Sequence, residues 1–337
     1  MIRIALDAMG GDRAPGPEVD GAVLALRELP PEFELTLVGR AADIEAQLAR
    51  HPGIDRSRLR IVEASDVIGM AERPLAAVRK KPNSSLVVGL NLHRTGEVEA
   101  LISAGNTGAT LAGSTILLGL HDGVDRAAVA SPFPLPDGSV LVVDAGANVD
   151  CTSRELVNFA RLGTIYMRDL VGVAEPKVGL LNIGEEDEKG GAIVRETHQL
   201  LKQQPRIRYV GNIEGRDIVV PHPQHGQIDV VVCDGFVGNA VLKFYESMGP
   251  LVTRVLRQVS PDLVGSQALQ PMMRFLDYSE YGGAPLLGVR GVSIIAHGAS
   301  TASAIKNAIK RAVVSVSRGL SAHTAAEMAQ HEAPSAA

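Results

Sequence analysis

The chain has 337 residues, of which 45% are apolar and 21% are charged, and its formal net charge is -5. This acidic balance argues against a nucleic-acid partner, which would favour a basic surface. The two cysteines, Cys151 and Cys233, lie far apart in sequence and favour a reducing cytoplasm over a disulfide framework. The N-terminus runs straight into an apolar stretch without the segments of a signal peptide, so we expect a cytoplasmic protein.

Short apolar runs alternate with helical patterns along the chain, and loops rich in Gly, Asn, Asp, Ser or His follow the apolar runs. Thr152 and Glu155 form a capping box, which predicts a helix that begins near Ser153. Strands that are apolar throughout and alternate with helices indicate a mostly parallel sheet in a three-layer α-β-α fold. The clearest helical patterns fall at 41–50, 192–203 and 302–319.

One stretch, 100–120, carries no charge and has the length of a membrane-spanning helix. It contains four glycines together with Ser, Asn and Thr residues. We therefore predict a buried strand, a turn and a buried helix here.

The first strand-end loop reads DAMGGD, at 7–12. Gly10 and Gly11 allow unusual backbone angles and expose N–H groups that can face an anion, whereas Asp7 and Asp12 would repel one. By itself the loop is a structural turn or a ligand loop. Beside the other strand-end loops we expect it to form one wall of a pocket, with the aspartates bracing the backbone.

The loop SAGNTGA, at 103–109, combines small residues with the side-chain donor Asn106 and leads to a helix start predicted near Thr110. Free N–H groups at a helix N-terminus attract phosphate, but the loop lacks the lysine of a P-loop. It is either a phosphate or carbonyl cradle or a tight strand–helix crossing. The residues assigned to the cradle besides Asn106 are Gly105, Thr107 and Gly108.

Three further loops place polar side chains at predicted strand ends: DAGAN, DGFVGN and AHGAS. Loops that follow neighbouring parallel strands converge on one crevice, so we expect a shared binding site. In it His297 is an acid/base group or a phosphate donor, although a structural histidine fits the pattern equally well. The expected substrate-binding side chains are Asp144, Asn148, Asp234 and Asn239.

The loop NIGEEDEKGG, at 182–191, places Lys189 between a run of acids and two glycines. Such a lysine can reach an anion or polarise a carbonyl, and the alternative is a solvated acidic face. Tyr281, beside a glycine pair, belongs to a turn or to the pocket wall. His222 and His225 lie in a Pro-rich loop, where we expect solvent exposure rather than metal binding.

Two surface segments carry candidate contacts with partners. The basic segment Arg79, Lys80 and Lys81 is a solvated helix end or a dock for an acidic partner. Residues 241–277 follow a helical pattern that ends in an apolar tip. The tip packs on a dimer partner or on the domain's own core, dips into a membrane surface, or forms an acyl-chain groove. The tip residues assigned to membrane contact are Leu263, Val264, Leu269 and Met272.

Nine motifs, taken together and in their order along the chain, resemble those of the phosphate acyltransferases of bacterial phospholipid synthesis. They span nearly the whole chain, whereas the segment at 70–73 departs from the family. The motifs read RIALDAMGGD, VRKKPNSS, ISAGNTGA, DAGANVD, LLNIGEEDEKG, GNIEGRD, CDGFVGNAVLK, YGGAPLLG and AHGAS.

The resemblance implies a fold like that of phosphotransacetylases and isocitrate/isopropylmalate dehydrogenases. Residues 1–320 would form the catalytic domain, including the helical arm that the spacing predicts at 241–277. Residues 321–337 have little apolar content, which predicts a flexible tail. It implies a homodimer, peripheral membrane contact, a downstream glycerol-3-phosphate acyltransferase as partner, and neither metal nor cofactor. It also implies the reaction, in which inorganic phosphate attacks the thioester of acyl carrier protein. The basic segment would then dock the carrier protein. The catalytic residues implied are Asn106, Lys189 and His297.

Two alternatives remain open at this point. A phosphotransacetylase-like enzyme would act on coenzyme A esters instead of carrier-protein esters. A non-catalytic scaffold of lipid synthesis would need no cluster of Asn106, Lys189 and His297.

Overall fold

The computed structural model describes residues 1–260, 266–267, 269, 272, 275–276 and 282–329. Its described residues form one sheet, in the order β3-β2-β1-β4-β11-β10-β5-β6-β9-β7-β8. The strands are β1 Ile2–Asp7, β2 Phe33–Gly39, β3 Leu59–Glu63, β4 Ala100–Ser103, β5 Ala128–Leu135, β6 Gly138–Val143, β7 Lys177–Leu181, β8 Arg208–Ile213, β9 Val230–Val232, β10 Ala284–Leu287 and β11 Val292–Ile295.

The sheet consists of two parallel halves that run in opposite directions. The half formed by β3, β2, β1, β4 and β11 is parallel throughout, and so is the half formed by β6, β9, β7 and β8. The four-residue strand β10 and the eight-residue strand β5 lie between them and pair antiparallel with their neighbours. Because β10 has four residues, the carboxyl ends of the two halves face each other across a short distance.

Helices cover both faces of the sheet, as the apolar strands predict. In the first half-sheet, the first and ninth helices of the chain pack on one face. The third, fourth and fifth helices pack on the other face. In the second half, apolar clusters likewise cover both faces. The helices are α1 Gly16–Glu28, α2 Ala41–Leu48, α3 Pro74–Lys80, α4 Ser85–Arg94, α5 Thr107–Leu117, α6 Ser153–Tyr166, α7 Ala192–Lys202, α8 Gly235–Val259, α9 Ala302–Ser317 and α10 Leu320–Ala329.

Side-chain caps fix where several of these helices begin. The capping box predicted for α6 is present: Thr152 accepts from the N–H of Glu155, and the Glu155 carboxylate accepts from the N–H of Thr152. Asn106 and Asp234 accept backbone hydrogen bonds at the N-termini of α5 and α8 in the same way. A short polar side chain at each position therefore converts a strand-end loop into a helix start.

The uncharged stretch 100–120 is a strand and a helix, β4 and α5, as predicted. Among the described residues, each helix is too short or too polar to cross a bilayer. At the C-terminus, residues that the composition places in a flexible tail instead continue as α10 up to Ala329. Leu320, Thr324 and Met328 of α10 are buried, because they fall on one face of that helix.

Candidate active site

A cavity of about 1550 Å³ lies where the carboxyl ends of the two half-sheets meet. Its walls come from the loops after β4 and β11 in one half and after β6 and β9 in the other. Helix α8 extends the wall outwards, through Lys243 and Glu246 as far as Gln258. Of the residues predicted from the sequence, those that line the cavity are Asn106, Gly105, Thr107, Gly108, Asn239 and His297.

Asn106 lines the cavity, but its side chain is hydrogen-bonded to the protein's own backbone. Its Oδ1 accepts from the N–H of Ala109 at 3.0 Å, which caps α5. Its Nδ2 donates to the carbonyls of Met70 at 2.9 Å, Glu72 at 3.2 Å and Gly69 at 3.4 Å. Asn106 therefore joins the segment that departs from the family to the N-terminus of α5. The donors left for an anion are the first two backbone N–H groups of α5, because the next two already donate to Asn106 itself.

Asp7 and Ser103 hold in place the loop at 103–109, which is the candidate anion cradle. The Ser103 hydroxyl donates to Oδ2 of Asp7 at 2.7 Å and accepts from the N–H of Gly105 at 3.1 Å. Burial raises the pKa of Asp7, against the hydrogen bonds from Ser85, Ser103 and the N–H of Met9. Asp7 thus braces the backbone, in the role expected for it.

The two glycines of DAMGGD pack against protein rather than lining the cavity. A Cβ at Gly10 would lie 2.7 Å from the backbone nitrogen of Gly105, and one at Gly11 would lie 2.1 Å from Oε1 of Glu18. The next residue, Asp12, does line the cavity, and its N–H donates to the carbonyl of Gly298 at 2.8 Å. The loop after β1 is therefore wedged between the loops after β4 and β11.

His297 projects into the same cavity from the loop after β11, and its side chain is exposed. Its Nδ1 accepts from the N–H of Ala299 at 3.1 Å. In the neutral ring the hydrogen therefore sits on Nε2, which leaves that nitrogen as a donor. A donor beside the N-terminus of α5 suits an anionic ligand.

Asp144 and Asn148 lie behind the cavity wall, not on it. The Asp144 carboxylate is fully buried and accepts from the backbone N–H groups of Val129, Ala147 and Asn148, among others. Burial raises its pKa against these bonds. Asn148 donates through Nδ2 to Asp144 and to the carbonyl of Ala127. The pair fixes the loop after β6, and Asp234 acts similarly as the cap of α8.

Lys189 does not line the cavity. It follows β7, and β9 lies between β7 and β6 in the sheet. The Lys189 side chain is exposed, and its backbone N–H donates to the carbonyl of Glu186, which closes a turn. The basic side chains that line the cavity are Lys243, Arg254 and Arg257, all on α8. We predicted an arm from the apolar spacing at 241–277, and the basic side chains within it were not among the expected site residues.

The basic segment divides into two parts. Arg79 and Lys80 are exposed at the C-terminal end of α3. Lys81 instead donates to Oε1 of Glu72 at 2.6 Å and to the carbonyl of Val67 at 2.8 Å. Lys81 therefore anchors the segment that Asn106 also holds.

The two cysteines stand outside the cavity lining, and both are buried. Burial raises the pKa of Cys151 to about 12 and that of Cys233 well above its ordinary value. Neither thiol is available as a thiolate nucleophile at neutral pH.

His222 is buried, so the prediction of an exposed side chain was wrong for this residue. It lies with Glu185 and Asp217 in a group whose spacing would admit a metal ion. However, its Nδ1 accepts from the N–H groups of Gln224 and His225. The ring hydrogen is then on Nε2, which faces Glu185 as a donor rather than as a ligand.

Some predicted residues fall elsewhere. Tyr281, Leu263 and Val264 lie outside the described residues. Leu269 is half-buried, and the side chain of Met272 is exposed.

Most of the chain matches a known protein family in sequence. The family described as "Fatty acid synthesis protein" matches residues 2–323. A phosphate acyltransferase of Heliobacterium modesticaldum is 47% identical over 317 residues, covering 92% of each chain. The phosphate acyltransferase of Geobacter sulfurreducens is 44% identical and covers 97% of this chain and 94% of its own. The chain belongs to the phosphate acyltransferase family. This membership confirms the resemblance read from the nine motifs and the expected enzyme class.

Solved structures show the same fold at low sequence identity. The EutD phosphotransacetylase of Staphylococcus aureus superposes with a TM-score of 0.61 at 17% identity, covering 97% of this chain and 94% of that one. A phosphotransacetylase of Streptococcus pyogenes gives a TM-score of 0.62 at 16% identity over the same shares. The predicted phosphotransacetylase-like α/β fold is therefore confirmed.

Proposed function

We propose that this protein transfers a fatty acyl group from the thioester of acyl carrier protein to inorganic phosphate. The observation that carries the proposal is the cavity itself. At one end the first turn of α5 and Nε2 of His297 supply hydrogen-bond donors for an anion. Towards α8, Lys243, Arg254 and Arg257 line the wall. A volume of about 1550 Å³ has room for phosphate together with a thioester arm.

The proposed chemistry needs no protein nucleophile. A phosphate oxygen attacks the thioester carbonyl, the tetrahedral intermediate collapses, the C–S bond breaks, and the thiolate takes up a proton. The products are acyl phosphate and carrier protein with a free thiol. The protein contributes orientation and stabilisation of negative charge, which suits a site that offers backbone N–H groups and an imidazole.

His297 and Asn106 take different parts in this scheme. His297 donates from Nε2 to phosphate or to the leaving thiolate, as a catalytic residue. Asn106 acts as a positioning residue, because its amide already holds Ala109 and the carbonyls of Met70 and Glu72. Gly105, Thr107 and Gly108 provide the cradle, and Asn239 lines the opposite wall.

The carrier protein, rather than coenzyme A, is the acyl donor in this proposal. Arg79 and Lys80 form an exposed basic pair, which supports docking of an acidic protein. The apolar residues exposed on α8 support the expected dimer and the expected membrane contact, through which the product would pass to a glycerol-3-phosphate acyltransferase. These residues are Phe236, Phe244, Leu251, Val255 and Val259.

A comparison of two acyl donors tests the proposal. Purified protein is given phosphate with either palmitoyl carrier protein or palmitoyl coenzyme A, and acyl phosphate is trapped as the hydroxamate. We expect kcat/KM at least tenfold higher with the carrier protein. Equal or better use of coenzyme A would favour the phosphotransacetylase alternative, and no product from either donor would favour the scaffold.

A further inference from the structure

A buried carboxyl lies directly behind the cavity turn and takes no part in the chemistry described above. Glu18, in the first turn of α1, is 1% exposed. Its Oε1 fills the space where Gly11 would carry a Cβ. Its Oε2 is buried without a hydrogen-bond partner among the described residues. An ionised carboxylate in such a place has lost water and gained too few donors.

The charges around Glu18 also disfavour its ionised form. The pKa of Glu18 is raised to about 7, chiefly by burial and to a smaller extent by the negative charge of Asp7. Interactions with the backbone of Gly11 and of Glu18 itself, and the positive charge of Arg13, act in the opposite direction. At neutral pH the group therefore exchanges between its neutral and charged forms.

The other charged groups of the packed elements are engaged farther along α1. On α2, Gln47 donates to Asp20, and Nε2 of His51 beside that helix lies 2.7 Å from Oδ1 of Asp20. On α9, Lys306 is paired with Glu28 at 2.6 Å, at the far end of α1. Asp12 faces the cavity side of the turn.

The turn over Glu18 connects to the anion site on both sides. The N–H of Asp12, next to Gly11, donates to the carbonyl of Gly298, which follows His297. Gly10 packs on Gly105 of the cradle. A change of charge at Glu18 therefore acts on a turn that touches both anion-binding loops.

We propose that Glu18 is a positioning residue of the phosphate site, whose neutral carboxyl supports anion binding and whose ionisation weakens it. This inference rests on the proposed function, because phosphate is the anion whose binding Glu18 would affect. Two physical effects act together. A negative charge behind the cradle repels phosphate, and a charged Oε2 without a donor pushes the turn away from its packed position.

The sign follows from the direction of the pKa change. Below pH 7 Glu18 is mostly neutral and the KM for phosphate is low. Above pH 7 it loses its proton and the KM rises. Because an anion favours the neutral form, anion binding near pH 7.5 takes up protons.

The test compares wild type, Glu18→Gln and Glu28→Gln, the last being the same substitution at the exposed end of the same helix. The KM for phosphate is measured between pH 6 and pH 8 with saturating palmitoyl carrier protein. We expect the ratio of wild-type KM to Glu18→Gln KM to rise about tenfold over this range, since about nine-tenths of a group with a pKa near 7 ionises by pH 8. The ionisation of phosphate itself cancels in the ratio. Glu28→Gln should follow wild type.

A constant ratio, or the same change in Glu28→Gln, would overturn the proposal. A second measurement does not depend on catalysis. Sulfate, a tetrahedral anion that does not titrate in this range, is bound to wild type and to Glu18→Gln at pH 7.5 in two buffers of different ionisation enthalpy. We expect wild type to take up a fraction of a proton per sulfate more than Glu18→Gln, because any uptake by the His297 imidazole at the same site is common to both proteins. Equal uptake contradicts the proposal. Greater uptake by wild type without any acyl transfer would reject the proposed function and leave the role of Glu18 standing.

Discussion

The loops after β4 and β11 and the loop after β7 resemble each other in sequence but differ in what the fold does with them. Each joins an apolar strand to a helix through glycines and a polar side chain. The first two bring Asn106 and His297 to one cavity, whereas the third leaves Lys189 away from it. The difference comes from strand order, because β4 and β11 are neighbours while β7 lies two strands beyond β6. A motif thus identifies a strand-end loop, and the topology decides which loops share a ligand.

The largest expected effect comes from replacing His297, and the matched comparison is the same replacement at Lys189. His297→Ala should lower kcat about 10²–10³-fold, the range for loss of a positioned donor. Lys189→Ala should change kcat by less than about threefold, because its side chain lies outside the cavity. Both are measured by phosphate-dependent thiol release, with circular dichroism as the control for folding. A loss in Lys189→Ala as large as in His297→Ala would restore the role predicted for Lys189 from the sequence.

A second comparison sets the buried Glu18 against the exposed Glu28 and concerns stability. The pKa of Glu18 is raised to about 7 in the folded protein, from an ordinary value of 4.5. Its favourable contribution to folding is complete below pH 4.5 and is lost as the pH rises to about 7. Glu18→Gln should therefore stabilise the protein by about 3 kcal/mol at pH 8 and change it little at pH 5.

Urea unfolding of wild type, Glu18→Gln and Glu28→Gln at both pH values measures this effect. The matched variant Glu28→Gln loses only an exposed ion pair with Lys306 and should differ little between pH 5 and pH 8. A Glu18→Gln effect that is the same at both pH values would show that the carboxyl does not titrate near neutral pH.

The third comparison concerns two helix caps, of which one lines the cavity and one does not. Asn106→Ala and Asp234→Ala should each cost about 1 kcal/mol of stability through loss of a cap. Asn106→Asp keeps the acceptor of the cap and loses the Nδ2 donor to the carbonyls of Met70 and Glu72. We expect it to raise the KM for phosphate about tenfold. Thermal unfolding and phosphate titrations separate the two effects, and an unchanged KM would limit Asn106 to capping.

The smallest expected effect is on carrier-protein docking. Arg79→Glu/Lys80→Glu should raise the KM for palmitoyl carrier protein about fivefold and leave the KM for phosphate unchanged, since exposed charges mostly affect encounter. The effect should shrink in 0.5 M salt. The matched control is Arg27→Glu/Lys310→Glu, which changes the same charge at exposed positions outside the cavity lining. An equal effect of the control would assign the change to net charge.

Much of the fold could be predicted from local signals. The alternation of apolar strands and helices, the capping box at Thr152 and the division of 100–120 into β4 and α5 all follow from periodicity and short-range hydrogen bonds. The reversal of direction between the half-sheets could not, because it depends on three antiparallel pairings in a row, β11 with β10, β10 with β5 and β5 with β6. That reversal is what brings the two sets of loops together.

For the site, residue type was easier to predict than residue role. Asn106 reads as a donor to a ligand, and only the fold shows that its donor is already engaged by the segment at 69–72. Lys81 reads as part of a basic patch, yet it pairs with Glu72. Glu18 gave no signal, and His222 was expected to be exposed, because burial of a polar side chain depends on contacts between distant segments. The basic residues on α8 gave no separate signal either, because the helical pattern of that segment is defined by its apolar residues.

The central claim is that phosphate held at the cavity attacks the thioester directly. Its most direct test is to mix purified protein with palmitoyl carrier protein without phosphate, follow free thiol, and measure the intact mass of the protein. We expect neither thiol release nor an acylated protein until phosphate is added, after which thiol and acyl phosphate appear in equal amounts. Thiol release without phosphate, or a protein that has gained the mass of the acyl group, would contradict it.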